Sequence, residues 1–173
     1  MAEVKLPKVD DPSRWAAVAV LVRFCPDAEV LVGRRRMSSN DPWAGDAAFP
    51  GGHYEPSDGS LLNTAIRETL EETGINLVNV GELVAVLDVE HPGNLPQLNV
   101  LPIVFKVPCD VEPMGNSPEF DKFTWVKLSE VPRLDKVTEV KGRVKKAIVD
   151  GDVVIWGMTR RILCRVYNML THG

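Results

Sequence analysis

A mixed α/β fold, one β-sheet packed between helices, is the architecture this sequence predicts, and three observations carry it. β-branched apolar runs bounded by turn residues recur along the chain. One strongly marked helix interrupts them near residue 61, and a second apolar-striped helix closes the chain. Strands with helices before and after them have one compact solution, a sheet covered on both faces. At 173 residues the chain is expected to form one domain, residues 1–173, around a single core.

In order, Trp15–Phe24 and residues 30–35 are apolar and β-branched, and the sequence CPDAE between them predicts a hairpin. Residues 36–45, RMSSNDPWAG, have the composition of a loop. A short strand at 47–49 leads into Pro50, Gly51 and Gly52. Further strands are expected at 83–89 and 98–107, separated by a polar loop with His91, Pro92, Gly93 and Pro96, and another at 123–128. The closing helix is expected over 155–170, with Ile162, Leu163, Val166, Tyr167 and Leu170 forming its core-facing stripe.

The helix at Leu61–Thr73 reads in detail. Ser57, Asp58 and Ser60 are candidate N-caps, and Gly74 suits a left-handed C-terminal turn. Leu62, Ala65, Ile66, Thr69 and Thr73 share one stripe. Glu68, Glu71 and Glu72 occupy a neighbouring arc, expected to point away from that stripe. Like charges at this spacing repel, so the cluster is either a solvated face or a set of hard oxygen ligands for Mg²⁺ or Mn²⁺. Arg67, four residues before Glu71, is placed to hold that carboxylate in a two-pronged contact.

Composition excludes several classes. Hydrophobic residues make up 45% and charged residues 25% of the chain, as in soluble globular proteins. The first fourteen residues are charged and lack an apolar core, so no signal peptide is expected. No apolar run is long enough for a membrane span. The net charge of −4 argues against general nucleic-acid binding. From Arg133 onward, however, 9 basic residues face 4 acidic ones. That excess is either a solvated face of the closing helix or a positive wall for an anionic substrate. Cys25, Cys109 and Cys164 are odd in number and widely spaced, and are expected to be reduced thiols in a cytoplasmic protein.

Arg67-Glu68-Thr69-Leu70-Glu71-Glu72-Thr73-Gly74-Ile75 resembles the REUxEExGU half of the Nudix box, with threonine at its first apolar position. Gly52 resembles the opening glycine of the GX5EX7 half; five residues on stands Asp58 instead of glutamate, and eight residues instead of seven precede Arg67. That departure leaves a role for Asp58 open. The resemblance implies a Nudix α/β/α sandwich and hydrolysis of a nucleoside diphosphate linked to another moiety. It implies Mg²⁺ or Mn²⁺ held by Glu68, Glu71, Glu72 and the Gly52 carbonyl, with Arg67 orienting a glutamate. The general base would be Glu68 or Glu119, the latter from the loop before the 123–128 strand. The partner implied is a small-molecule nucleotide, with no nucleic acid and no membrane, and a homodimer is one state the family allows.

A narrower resemblance points to coenzyme A diphosphatases. Residues 45–52 fit the GxxxFPGG end of their motif, residues 31–35 loosely fit its LLTxR beginning, and 155–163, IWGMTRRIL, is also similar. Arg36 replaces a small residue and Asn40 stands where arginine is usual, so Arg34, Arg35 and Arg36 become the candidate contacts to substrate phosphate. The products would be 3′,5′-ADP and 4′-phosphopantetheine. ADP-ribose, another nucleotide sugar or a nucleoside triphosphate is the alternative substrate, and a nucleotide-sensing module without catalysis is the alternative function.

Overall fold

The computed structural model describes residues 5–38, 44–115 and 117–172. Asn40 therefore lies outside the described residues. The chain builds β1 (Trp15–Phe24), β2 (Ala28–Arg35), β3 (Ala47–Ala48), β4 (Gly51–His53), α1 (Leu61–Thr73), α2 (Leu77–Val80), β5 (Glu82–Val86), β6 (Asn99–Lys106), β7 (Phe120–Lys127), α3 (Val131–Leu134), β8 (Asp135–Val140), β9 (Arg143–Asp150), β10 (Val153–Ile155) and α4 (Gly157–His172).

The main sheet runs β3-β2-β1-β6-β5, with β4 paired to β1 and β7 to β2. It is mixed, because β1 lies parallel to β6 and antiparallel to β2 and β4. Alternation along β1 separates the two faces. Ala17, Ala19 and Leu21 pack under α1 with Leu61 and Ala65, whereas Val20 and Val22 pack with Ile162, Leu163 and Val166 of α4. This is the expected sheet between helices. The stripe expected on α4 is also present, with Tyr167 and Leu170 partly buried against the same cluster.

Two boundaries shift for a physical reason. The strand expected at 123–128 starts at Phe120, whose ring fills the space above Gly33 on β2; a Cβ at Gly33 would collide with it. The closing helix starts at Gly157, because Ile155 is taken as the last residue of β10. The three-stranded sheet β10-β9-β8 was not expected at all. β8 and β9 are charged and largely exposed, so hydrophobic alternation is faint, with only Val140, Ala147 and Ile148 buried in them, and β10 is a three-residue apolar strand with Val153 and Ile155 buried. The available signal was Lys141-Gly142, a two-residue turn with both φ values positive, at 51° and 80°.

The cysteines need a correction. Cys25 and Cys109, 84 residues apart in sequence, form a disulfide, and Cys164 alone is free. Cysteine usage therefore no longer argues for a reducing compartment. Among the described residues no helix is long and apolar enough to cross a membrane.

Helix α1 is capped as its sequence suggests. Ser60 accepts from the Asn63 amide, and Gly74, with φ at 77°, donates to the Leu70 carbonyl at 2.9 Å. Its buried stripe is rotated from the expected one toward Leu61, Thr64, Ala65, Thr69, Glu72 and Thr73. Thr69 is fully buried and its hydroxyl has no hydrogen-bond partner among the described residues. A buried hydroxyl without a partner costs about 1–3 kcal/mol. Thr69→Val keeps the shape and removes the hydroxyl, so it is expected to raise the unfolding free energy by about 1 kcal/mol in urea titrations. A loss of stability would show that the hydroxyl is satisfied.

Candidate active site

The site is built where α1 crosses the β4 end of the sheet. Gly51 and Gly52 pair with Val18 and Ala17 of β1, which presses the glycine backbone against the helix. A Cβ at Gly52 would lie 2.5 Å from the Glu68 carboxyl carbon, so only glycine allows this approach. The Gly51 amide donates to Glu72 Oε2 at 3.3 Å. Glu72 is buried at 5% exposure, which corrects the expectation that all three glutamates face away from the core. Its carboxyl is pushed well above the ordinary range, first by burial, then by the hydrogen bond and negative charge of Glu68, with a smaller push from Glu119.

Arg67 organises one side of this pair, but not by the contact expected. Its two-pronged grip is on Asp58, with Nε at 2.7 Å and the second nitrogen at 3.0 Å. It also donates to Glu68 Oε1 at 2.8 Å and to the His53 carbonyl at 3.1 Å. Glu71 receives only long contacts of 3.5 Å and remains exposed. The reading of Arg67 as the two-pronged holder of Glu71 is thus corrected. Asp58, whose role the sequence left open, is the anchor. It is buried, accepts also from Thr64 Oγ1 and the Glu55 amide, and is held down to about 2, chiefly by the Arg67 hydrogen bond. Arg67 is correspondingly raised, first by Asp58. One rigid unit therefore spans the β4–α1 connection and aims Glu68.

The remaining candidates are distributed as follows. Glu119 lies just before β7, half exposed, 3.7 Å from Arg35. Arg36 Nε donates to the Ser117 carbonyl at 2.9 Å, so both arginines brace the loop that carries Glu119. Arg34 is held elsewhere, by Asp121 and Asp152 at 2.8 and 2.7 Å.

Among the described residues, no three carboxylate, imidazole or thiol groups are already drawn together as a closed metal cage. What is drawn together is the Glu68–Glu72 carboxyl pair beside the Gly51–Gly52 backbone, with Arg67 on Glu68 and Glu72 held above the ordinary carboxyl range by burial and by Glu68. A carboxylate pair in contact needs a proton or a cation, and oxygen-only donors suit a hard divalent ion. The residues of this pair therefore fit such an ion.

The family model for the NUDIX domain matches residues 13–148. A protein named Nudix hydrolase NudL from Yersinia enterocolitica is 32% identical over 163 residues, covering 89% of this chain and 80% of the relative. A Yersinia pestis protein of the same name is 31% identical over 159 residues, covering 87% and 77%. Among solved structures, the M. smegmatis Nudix hydrolase RenU aligns with a TM-score of 0.64 at 15% identity, over 92% of this chain and 87% of that one. A C. elegans Ap4A hydrolase complex aligns at 0.62 with 19% identity, over 91% and 99%. At these identities the structural matches speak to fold, and the fold is the same. Together with the family match and the NudL relatives, the glutamate helix pressed on its paired glycines shows that this chain belongs to the Nudix hydrolase family, enzymes that cleave a nucleoside diphosphate linked to another moiety and generally use divalent metal ions.

Proposed function

We propose that the protein hydrolyses coenzyme A or its derivatives at the diphosphate, giving 3′,5′-ADP and a 4′-phosphopantetheine product. The observation that carries the catalytic part is the buried Glu68–Glu72 pair beside Gly51–Gly52, fixed by the Asp58–Arg67 unit. The substrate part is supported by residues 45–52, by the connection between Gly52 and Arg67, one residue longer than the usual box, and by residues 155–163.

Mg²⁺ or Mn²⁺ bound by Glu68, Glu71, Glu72 and the Gly52 carbonyl would neutralise the diphosphate and lower the pKa of water. The protein's own groups do the rest. Arg67 keeps Glu68 aimed at the glycine turn. Glu119 is the better-placed base, since Glu68 is already engaged by Arg67 and Glu72 while the half-exposed Glu119 carboxylate, among the described residues, meets Arg35 at a long 3.7 Å. It would take the proton of the attacking water as that oxygen bonds to one phosphorus and the bridging P–O bond breaks, the other phosphate leaving as an anion. Arg35 lines this mouth and is the candidate for a phosphate contact; Arg34, committed to two aspartates, is the weaker one.

The test is a screen of CoA, acetyl-CoA, ADP-ribose, NADH, dinucleoside polyphosphates and a nucleoside triphosphate with Mg²⁺ and Mn²⁺, products identified by mass. CoA compounds are expected to be cleaved fastest. Glu119→Gln is expected to lower kcat by about a hundredfold or more. Cleavage of ADP-ribose with none of CoA would overturn the substrate assignment, and nucleotide binding without any turnover would overturn catalysis.

A further inference from the structure

The C-terminal excess of positive charge does not lie on α4. The arginines of that helix are paired: Arg160 with Asp135 at 2.7 Å, Arg161 with Glu90 at 3.1 Å and Arg165 with Glu90 at 2.9 Å. The excess sits on the β8–β9 hairpin, where Lys136, Lys141, Arg143, Lys145 and Lys146 outnumber Asp135, Glu139 and Asp150. One part of this hairpin meets an aromatic ring. The Lys145 ammonium stands 3.9 Å from the centroid of the Trp156 ring, and Lys141 lies 5.8 Å from it. The indole is aimed by its Nε1–H, which donates to Asp46 Oδ1 at 3.3 Å, and Lys141 neutralises the same oxygen at 2.8 Å. Among the described residues Lys145 has no carboxylate partner, so its charge is balanced only by the π-face.

The position of this cluster relates it to catalysis. Asp46 immediately precedes β3, and the chain runs from there through Phe49 and Pro50 into Gly51–Gly52. Six residues of chain reach at most about 20 Å, so the platform lies within the span of an extended nucleotide substrate bound at the glutamates. A half-buried indole bearing an unneutralised lysine suits an aromatic base and an adjacent phosphate, the one by stacking and the other by a charge-assisted hydrogen bond.

We propose that Lys145 and Trp156 form a second subsite of the active site, which selects substrates carrying a further phosphate beside their purine base, away from the scissile diphosphate. The proposal rests on the substrate reading above and gives that phosphate a recogniser other than Arg34, Arg35 and Arg36.

The experiment compares the binding of 3′,5′-ADP and 5′-AMP, which differ by one phosphate, by calorimetry in Mg²⁺ buffer. The wild type is expected to favour 3′,5′-ADP about tenfold or more. Lys145→Gln is expected to bring that preference within about twofold, and Lys145→Arg to restore most of it. A cluster that only staples the hairpin to β3 would change the melting temperature and leave the preference intact. An absent preference in the wild type, or an intact one in Lys145→Gln, overturns the subsite. If CoA is not cleaved but the binding preference behaves as described, the substrate reading falls and the subsite stands. If CoA is cleaved and Lys145→Gln keeps the preference, the reverse holds.

Discussion

Glu72→Gln is expected to lower kcat by about a thousandfold or more while the melting temperature of the metal-free protein stays level or rises. Both effects have one cause. Glu72 is buried against Glu68 and accepts from the Gly51 amide, so the metal-free fold carries two confined carboxyls in contact. Glutamine keeps the shape and relieves that repulsion, yet it removes a charged ligand, and ligand charge is worth several kcal/mol at a phosphoryl centre. The opposite pattern, stability lost with turnover kept, would make Glu72 a structural residue. Thermal melts and steady-state kinetics on one preparation decide it.

Asp58→Asn is expected to cost about 2–4 kcal/mol of stability and roughly ten- to a hundredfold in kcat/KM. Asparagine cannot return both charge-assisted bonds to Arg67, whose guanidinium is then left beside Thr64 and the β4 turn without its main counter-charge. Glu68 and the His53 carbonyl lose the fixed donor that aligns them, and loss of such supporting contacts typically costs that factor in activity. The pH dependence is separable. Asp58 is held down to about 2 in the fold, below its ordinary 3.8, so the unfolded chain binds the proton first as pH falls. Its contribution, about 2 kcal/mol, is complete above about pH 4 and disappears toward pH 2. Acid titration of stability should therefore lose that slope in Asp58→Asn. An unchanged slope would assign the acid limb to other carboxylates.

What the sequence made legible follows the range of the interactions. Helix α1 was readable with both caps, because capping and apolar periodicity act within a few residues. Gly52 and the glutamates were readable because they share one short motif. Asp58 was not, since its partner Arg67 is nine residues away across a turn, and motif spacing alone made it look misplaced. The burial of Glu72 was hidden for a related reason: a helical wheel places it beside the apolar stripe, and only the approach of β4 covers it. The Cys25–Cys109 bridge joins segments 84 residues apart, a separation from which no pairing can be inferred. The β8–β9 hairpin escaped notice because its strands are polar on most positions, although they carry the lysines of the proposed subsite.

Glu68 and Glu72, pressed against Gly51–Gly52, are proposed to hold a divalent ion. The most direct measurement is Mn²⁺ binding followed by electron paramagnetic resonance of the free ion, in the wild type, Glu68→Gln and Glu72→Gln, without any substrate. Saturable binding by the wild type is expected to weaken at least about tenfold in each variant, with the fold preserved by circular dichroism. Wild-type Mn²⁺ affinity in both variants would contradict it.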